Sequence, residues 1–366
     1  MSDTKQNTKG STKKDSVEFY LAKYSNAYGV SGNETEISQM LKDDLKDYVD
    51  SIETDSMGNF IAVKEGDQNG PKIMLAAHMD EIGLMVKHID DNGFLKFVKI
   101  GGWFDQTLLN QRVIVHTQNG TIYGVIGSKP PHVMTPEDSK SPIKHKDMFI
   151  DVGAKDKEDA EKLGIRPGTY ISIDRDFKKL ANDRVTSKSF DNRAGVVIML
   201  EAIKRLSGKK LKSTVYAVGT VQEEVGLKGA KTSTYLCDPD VAIAIDTTIP
   251  GDHPGITKND SALEIGKGPV ITVVDASGRG LIASPQVLKW LEETAKKSKI
   301  PIQLGVGEGG TTDATSIHLT KTGVPTGTIS IATRYIHSPV EVLDLKDMEE
   351  SINLLVAAIK SADKYF

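Results

Sequence analysis

Apolar and polar positions divide this chain into three textures. Residues 16–26 and 34–49 carry apolar positions at helical spacing. In the second stretch Ile37, Met40, Leu41, Leu45 and Val49 form one stripe, with Ser31 and Asn33 as candidate caps. Residues 51–55 and 59–64 read as a hairpin around Ser56-Met57-Gly58. It leads into Lys72-Ile73-Met74-Leu75-Ala76-Ala77-His78-Met79-Asp80, whose apolar run predicts a strand buried on both faces. From 83 to 174 the pattern changes to short β-like runs at 84–89, 94–100, 113–116, 121–126, 149–152 and 170–173. Asn119-Gly120 between two of them is a type I′ hairpin signal, and only 157–163 reads as helix. This spacing predicts a small β-barrel or sandwich. The paired prolines and many charges of 129–146 predict a long exposed loop.

From about 180 the α/β texture returns. Helices are expected at 194–206, 229–236, 284–297, 314–319 and 345–365, and strands at 215–221, 241–245, 270–274, near 302, and at 326–331. The chain therefore reads as an α/β domain, 16–81 with 181–366, interrupted by a β-rich insertion at 82–180. Residues 1–15 have almost nothing to bury and are expected to be a disordered tail.

Composition narrows the function without choosing it. The 366 residues are 38% hydrophobic and 26% charged, as in an ordinary globular protein, and the net charge of −4 gives no reason to expect nucleic acid or an anionic membrane as partner. No apolar run reaches the ~18 residues of a membrane helix. Cys237 is the only cysteine, so no disulfide can form within the chain and a cytoplasmic setting is expected. A catalytic thiol is the lesser reading of Cys237; a buried small hydrophobe is the greater.

The candidate chemistry lies at the strand ends. In open α/β sheets ligands bind beyond the carboxyl ends of the strands. Here those ends carry His78 and Asp80, Asp191 ahead of the helix at 194, Glu223 and Glu224, Asp246, and His337 in Arg334-Tyr335-Ile336-His337-Ser338. Each has a bland reading: Asp191 as a helix cap, Glu223-Glu224 as a solvated pair, His337 as a loop histidine. Jointly, five acids and two histidines in one crevice would be costly unless divalent cations neutralised them. Mixed His/Asp/Glu donors suit zinc, cobalt or manganese better than calcium or magnesium. Successive strand residues point to opposite sides. One glutamate of the pair can therefore bind metal while the other faces the attacking water, as a general base must.

Six motifs occur in a telling order. They are Ala77-His78-Met79-Asp80-Glu81-Ile82-Gly83, Ser189-Phe190-Asp191-Asn192-Arg193, Gln222-Glu223-Glu224-Val225-Gly226, Ile245-Asp246, Gly309-Gly310-Thr311-Thr312-Asp313-Ala314 and Arg334-Tyr335-Ile336-His337-Ser338-Pro339. Together with residues 146–154, this series resembles the tetrahedral (TET) metallo-aminopeptidases, a family that includes glutamyl and deblocking aminopeptidases and some members labelled cellulases. The resemblance runs from about residue 17 to the C-terminus. It implies a zinc-exopeptidase-like catalytic domain, with a mixed central sheet flanked by helices, and an inserted β-barrel-like domain that serves dimerisation. It also implies two divalent ions per subunit, zinc or cobalt first and manganese next. Asp191 would bridge them, His78 and Asp246 would complete one site, and Glu224 and His337 the other. Glu223 would be the general base and Asp80 the partner that orients His78. Six dimers would form a hollow dodecamer that admits peptides with a free N-terminus. The doubled threonine at 311–312 departs from the usual single one and leaves the role of Asp313 open.

A deacylase or carboxypeptidase could use the same ligands. A glycosidase needs two carboxylates flanking the bond about 5–9.5 Å apart, which neighbours facing opposite ways do not offer. The strand at 270–274 carries no cation, so neutral or apolar N-terminal residues are favoured over acidic ones.

Overall fold

The computed structural model describes residues 16–136 and 140–366. The expected tail lies outside the described residues, as do 137–139 of the long loop. Helix α1 (Val17–Asn26) is capped by Ser16, whose hydroxyl accepts the Phe19 N–H at 3.1 Å. Helix α2 (Thr35–Leu45) is shorter than its periodicity suggested, and neither expected cap operates. The Ser31 hydroxyl turns instead to Asp80, 2.6 Å away. The predicted hairpin forms from β1 (Ser51–Thr54) and β2 (Phe60–Lys64), and β3 (Lys72–His78) follows.

β3 shows why its residues run apolar without a break. Ile73, Leu75 and Ala77 face one core while Met74 and Ala76 face another, so both faces of the strand are covered. The chain then leaves the sheet and builds β4 (Gly83–Ile89), β5 (Leu95–Ile100), the short helix α3 (Asp105–Leu108), β6 (Arg112–Thr117), β7 (Gly120–Gly127), β8 (Phe149–Asp151), helix α4 (Lys157–Lys162) and β9 (Tyr170–Ile173). Those six strands close into a barrel around their own core, which includes Leu84, Leu95, Val113, Ile126 and Ile150. Closure leaves no free sheet edge. The hairpin forms where the sequence placed it, but its two-residue turn is Gln118-Asn119, with Gly120 already in β7 opposite Thr117, and neither turn residue has the positive φ of the expected type I′ turn.

On the return, β10 (Lys178–Lys179) and β11 (Arg184–Ser187) precede helix α5 (Phe190–Arg205) and β12 (Thr214–Thr220). Helix α6 (Lys228–Cys237), β13 (Val241–Thr248), β14 (Val270–Val274), helix α7 (Pro285–Ser298) and β15 (Gln303–Val306) come next. The chain closes with helix α8 (Ala314–Ile317), β16 (Thr326–Ala332), β17 (Glu341–Asp344) and helix α9 (Leu345–Ser361). The central sheet has the order β1-β2-β12-β3-β13-β16-β14-β15, with β12, β3, β13 and β16 parallel and antiparallel pairs toward each edge. Helices α1, α2, α5, α7 and α9 cover one face and α6 and α8 the other. Cys237 is buried on the second face, and burial pushes its thiol up to about 12, which makes it a packing residue. A small sheet, β10-β11-β17, was not anticipated because its strands are short.

Candidate active site

The four parallel strands end on one rim, and there the predicted residues meet. His78 closes β3, and its partner on β12 is Thr220. Past Thr220 the chain abandons the β conformation: Gln222 has a left-handed φ of 56°. Glu223 and Glu224 therefore do not alternate as strand residues would, and both turn into the crevice. That corrects the expectation that one of the pair points away. Asp246 lies within β13, which continues to Thr248 rather than stopping at Ile245. Asp191 sits where the first turn of α5 is broken, with non-helical angles at Asp191 and Asn192 and a cis peptide between them. His337, at φ 61°, follows β16 in the turn before β17.

His78 Nε2 lies 3.2 Å from Asp191 Oδ1, 3.8 Å from Asp246 Oδ1 and 4.0 Å from Glu223 Oε2. His337 Nε2 lies 3.5 Å from Asp191 Oδ2 and 3.2 Å from Glu224 Oε2. Asp191 thus turns one oxygen to each imidazole. The donor atoms of His78, Glu223 and Asp246, and those of His78, Asp191 and Glu224, each lie within 4.8 Å of one another. Among the described residues no lysine or arginine pairs with Asp191, Glu223, Glu224 or Asp246; only the two histidines do.

The electrostatics follow from that imbalance. Burial pushes Glu223 and Asp246 well above the usual carboxylate range although His78 opposes it, helped by Asp246 at Glu223 and by Asp191 at Asp246, and burial likewise raises Glu224. Burial alone would lower both histidines, but the carboxylates outweigh it, lifting His78 well above its ordinary value and His337 to about 11. Asp191 is the exception among the acids: burial would raise it, but His337 and His78 hold it well below the usual range. A buried site that drives Glu223, Glu224 and Asp246 toward neutrality and its imidazoles toward charge holds too little positive charge. Glu224 Oε1, buried with no hydrogen-bond partner, says the same at one atom. The donor set of carboxylate oxygens and imidazole nitrogens fits divalent cations of the zinc or cobalt kind.

Around this cluster stand residues that shape it. Asp80 is fully buried; its backbone carbonyl lies 3.1 Å from His78 Nδ1 and its carboxylate 3.4 Å away. That carboxylate also accepts the Ser31 hydroxyl and the backbone N–H groups of Glu223 and Glu224, at 3.0 and 3.2 Å. Next to it, Glu81 pairs with the buried Lys188 at 2.5 Å and faces Arg193 at 3.5 Å. Asp313 is buried and accepts the Thr220 hydroxyl through Oδ2, while Oδ1 has no partner. Burial raises its carboxyl to about 6. The doubled threonine is absorbed by the loop, Thr311 turning to Thr315 and Asp275, and Thr312 accepting the Ala314 N–H.

Two features escaped the sequence reading. Glu341, on β17, is buried behind Asp191 and His337; an acid in a four-residue strand just ahead of the last helix carries no visible signal. The other is the loop after β5, where Gly101 approaches Glu224 and Gly102 approaches His337 so closely that a methyl group on Gly102 would lie 2.9 Å from Nδ1. The barrel therefore supplies part of the wall of the site.

Carboxylates and imidazoles gathered at the strand ends of a mixed α/β sheet define a hydrolase site. Residues 58–354 match the family described as M42 glutamyl aminopeptidase, and the chain belongs to that family: it is a peptide hydrolase of the aminopeptidase class. It is similar to aminopeptidase APDkam598 from Desulfurococcus kamchatkensis, with a TM-score of 0.91 and 47% identity over 95% of this chain and 96% of that one. The lysyl aminopeptidase of Pyrococcus furiosus is 38% identical over 338 residues, 91% of this chain and 93% of the other. The TET1 peptidase of Pyrococcus horikoshii, described as able to assemble into a tetrahedron or a large octahedral shell, superposes with a TM-score of 0.84 at 37% identity, covering 93% and 98% of the two chains. The expected TET-type fold, with its inserted barrel, is the one observed.

Proposed function

We propose that this aminopeptidase works with two divalent ions held by the strand-end cluster and removes residues one at a time from the free N-terminus of peptides. The observation that carries the reading is Asp191, which presents one oxygen to each imidazole, with Asp246 beside His78 and Glu224 beside His337. His78, Asp191 and Asp246 would hold one ion, and Asp191, Glu224 and His337 the other. Divalent ions in such a donor set supply Lewis acidity, which acidifies water and polarises a peptide carbonyl. Glu223 is the general base. Its Oε2 takes a proton from the attacking water and passes it to the leaving amine. The raised affinity of Glu223 for a proton, caused first by burial and then by Asp246, Asp313 and Glu224, suits a group that must hold that proton between the two transfers. Asp80 orients His78 and fixes the backbone of both glutamates.

The catalytic domain would comprise 16–81 with 181–366, and the 82–180 barrel would serve pairing of subunits into a homo-oligomer, a dodecamer built from six dimers by likeness to the TET1 peptidase. Sedimentation of the native protein reads that directly. Neutral or apolar N-terminal residues remain the preferred substrate class. Glu223→Gln should retain bound metal and lose turnover by about two to four orders of magnitude; near-normal turnover with metal bound would remove Glu223 from its role. Peptides acetylated at the N-terminus should be resistant, and their cleavage would favour a deacylase or carboxypeptidase instead.

A further inference from the structure

We infer that Glu341 is a second carboxylate clamp, the counterpart of Asp80, and that it acts unequally on the two ion sites, most strongly on the one that His337 completes. The inference rests on the two-ion reading of the strand-end cluster. Glu341 is 2% exposed, and its two oxygens do separate work. Oε2 accepts the backbone N–H of Asp191 at 2.9 Å, and Oε1 accepts the backbone N–H of His337 at 3.2 Å. Asp191 and His337 come from distant parts of the chain, and both sit in irregular backbone. Asp191 lies in the broken first turn of α5, and His337 is left-handed at φ 61°. Neither N–H can be met by regular secondary structure, so a buried acceptor must meet it. One carboxylate meets both and thereby fixes the spacing of the side chains these residues project.

The two clamps divide the cluster between them. Asp80 takes the N–H groups of Glu223 and Glu224 and faces His78. Glu341 takes those of Asp191 and His337 and, among the described residues, makes no hydrogen bond or ion pair to His78 or Asp246. Its own position is set by β17, where it stands opposite Ser187 of β11. A carboxylate suits the task because both of its oxygens accept. An amide presents one acceptor and one donor, so the donor would face an N–H group. Loosening the clamp frees the bridging residue on one side and His337, a ligand of one ion only, on the other. The His337 site loses the fixing of two ligands and the other site of one, so the His337 site should suffer more. Partners that orient a ligand typically change ion affinity by about 10–100-fold. Glu341 touches no reacting atom and is a positioning residue.

The test is a titration of ion-free protein with Co²⁺ and with Zn²⁺, followed by calorimetry and, for cobalt, by its visible absorption. Wild type should bind two ions. Glu341→Gln should bind one ion about 10–100-fold more weakly and the other with a distinctly smaller loss. The thermal midpoint of the ion-free variant should stay close to that of ion-free wild type, which separates the clamp from a structural role. Equal weakening of both ions, or of neither, would overturn the inference. A wild type that binds a single ion would instead bring down the two-ion reading. Should Glu341→Gln not fold, Glu341→Asp keeps the charge but shortens the reach, and it must show the same unequal loss; parity between its two ions would equally overturn the clamp.

Discussion

A methyl group added at Gly102 would meet His337 Nδ1 at 2.9 Å, closer than non-bonded carbon and nitrogen tolerate. His337 is 37% exposed and can tilt away, so the fold should survive Gly102→Ala while the cluster loses its geometry. A fall in kcat/KM of about tenfold or more, roughly 1.4 kcal/mol, with an unchanged circular dichroism spectrum, is the expected result. His78→Ala should abolish activity and reduce bound metal, measured by elemental analysis, while the protein stays folded; unfolding of the whole chain would contradict the picture. At this scale the sequence was informative where chemistry ends a strand. His78, Asp191, Glu223, Glu224, Asp246 and His337 are acids and imidazoles at the edge of apolar runs, and such placement has few structural motives. Glu341 was not legible because an acid in a short strand looks like any surface acid until the N–H groups it faces are known. Ser31 misled for a related reason: its residue type suits a helix cap, but Asp80, distant in sequence, offered its hydroxyl a buried acceptor.

Elements were read well wherever period and length agreed. β3 declared itself through an unbroken apolar run, and the barrel strands through regular spacing; the hairpin signal at Asn119-Gly120 found the right place but not the turn type, since the turn is Gln118-Asn119. Helix α2 was overextended because Tyr48 and Val49 pack against the core from a turn rather than from helix. The Glu223-Glu224 pair was misread by assuming that β12 ran on past Thr220, and backbone that turns left-handed at a non-glycine residue leaves little trace in composition. One element offers a clean acid-side test. Asp105, first in α3, accepts Lys99 Nζ at 2.7 Å and the His145 N–H at 3.0 Å, and these partners outweigh burial to lower its carboxyl from 3.8 to about 2. A carboxyl depressed in the folded state contributes stability above its unfolded value and loses it as pH falls through the folded one. Asp105→Asn should therefore lower the thermal midpoint above about pH 4, and its difference from wild type should shrink toward zero by about pH 2. A difference that stayed constant with pH would show that the pairing contributes nothing.

For the whole molecule, the strand-end cluster concentrates more negative charge than its histidines balance, and bound cations should stabilise the fold. At a thousandfold excess over the dissociation constant one ion contributes about 4 kcal/mol. Chelation should accordingly lower the thermal midpoint, and zinc or cobalt should restore it. A midpoint indifferent to chelator at known metal content would count against cations as the missing charge. The α/β architecture and the interruption by a barrel were legible because they rest on hydrophobic period, which is local. The contact between the barrel and the cluster was not, because it depends on how two separately cored bodies dock.

That contact bears on how such a chain can be re-engineered. Gly101 and Gly102 lie against Glu224 and His337, whereas nothing stands within 4 Å of a side chain built on Gly120, beside the β6–β7 turn. A foreign barrel grafted between residues 82 and 180 would have to reproduce the glycine pair and its docking angle, or the chimera would fold and be inert. New sequence for tethering or display belongs at the β6–β7 turn, where a graft can grow without touching the chemistry.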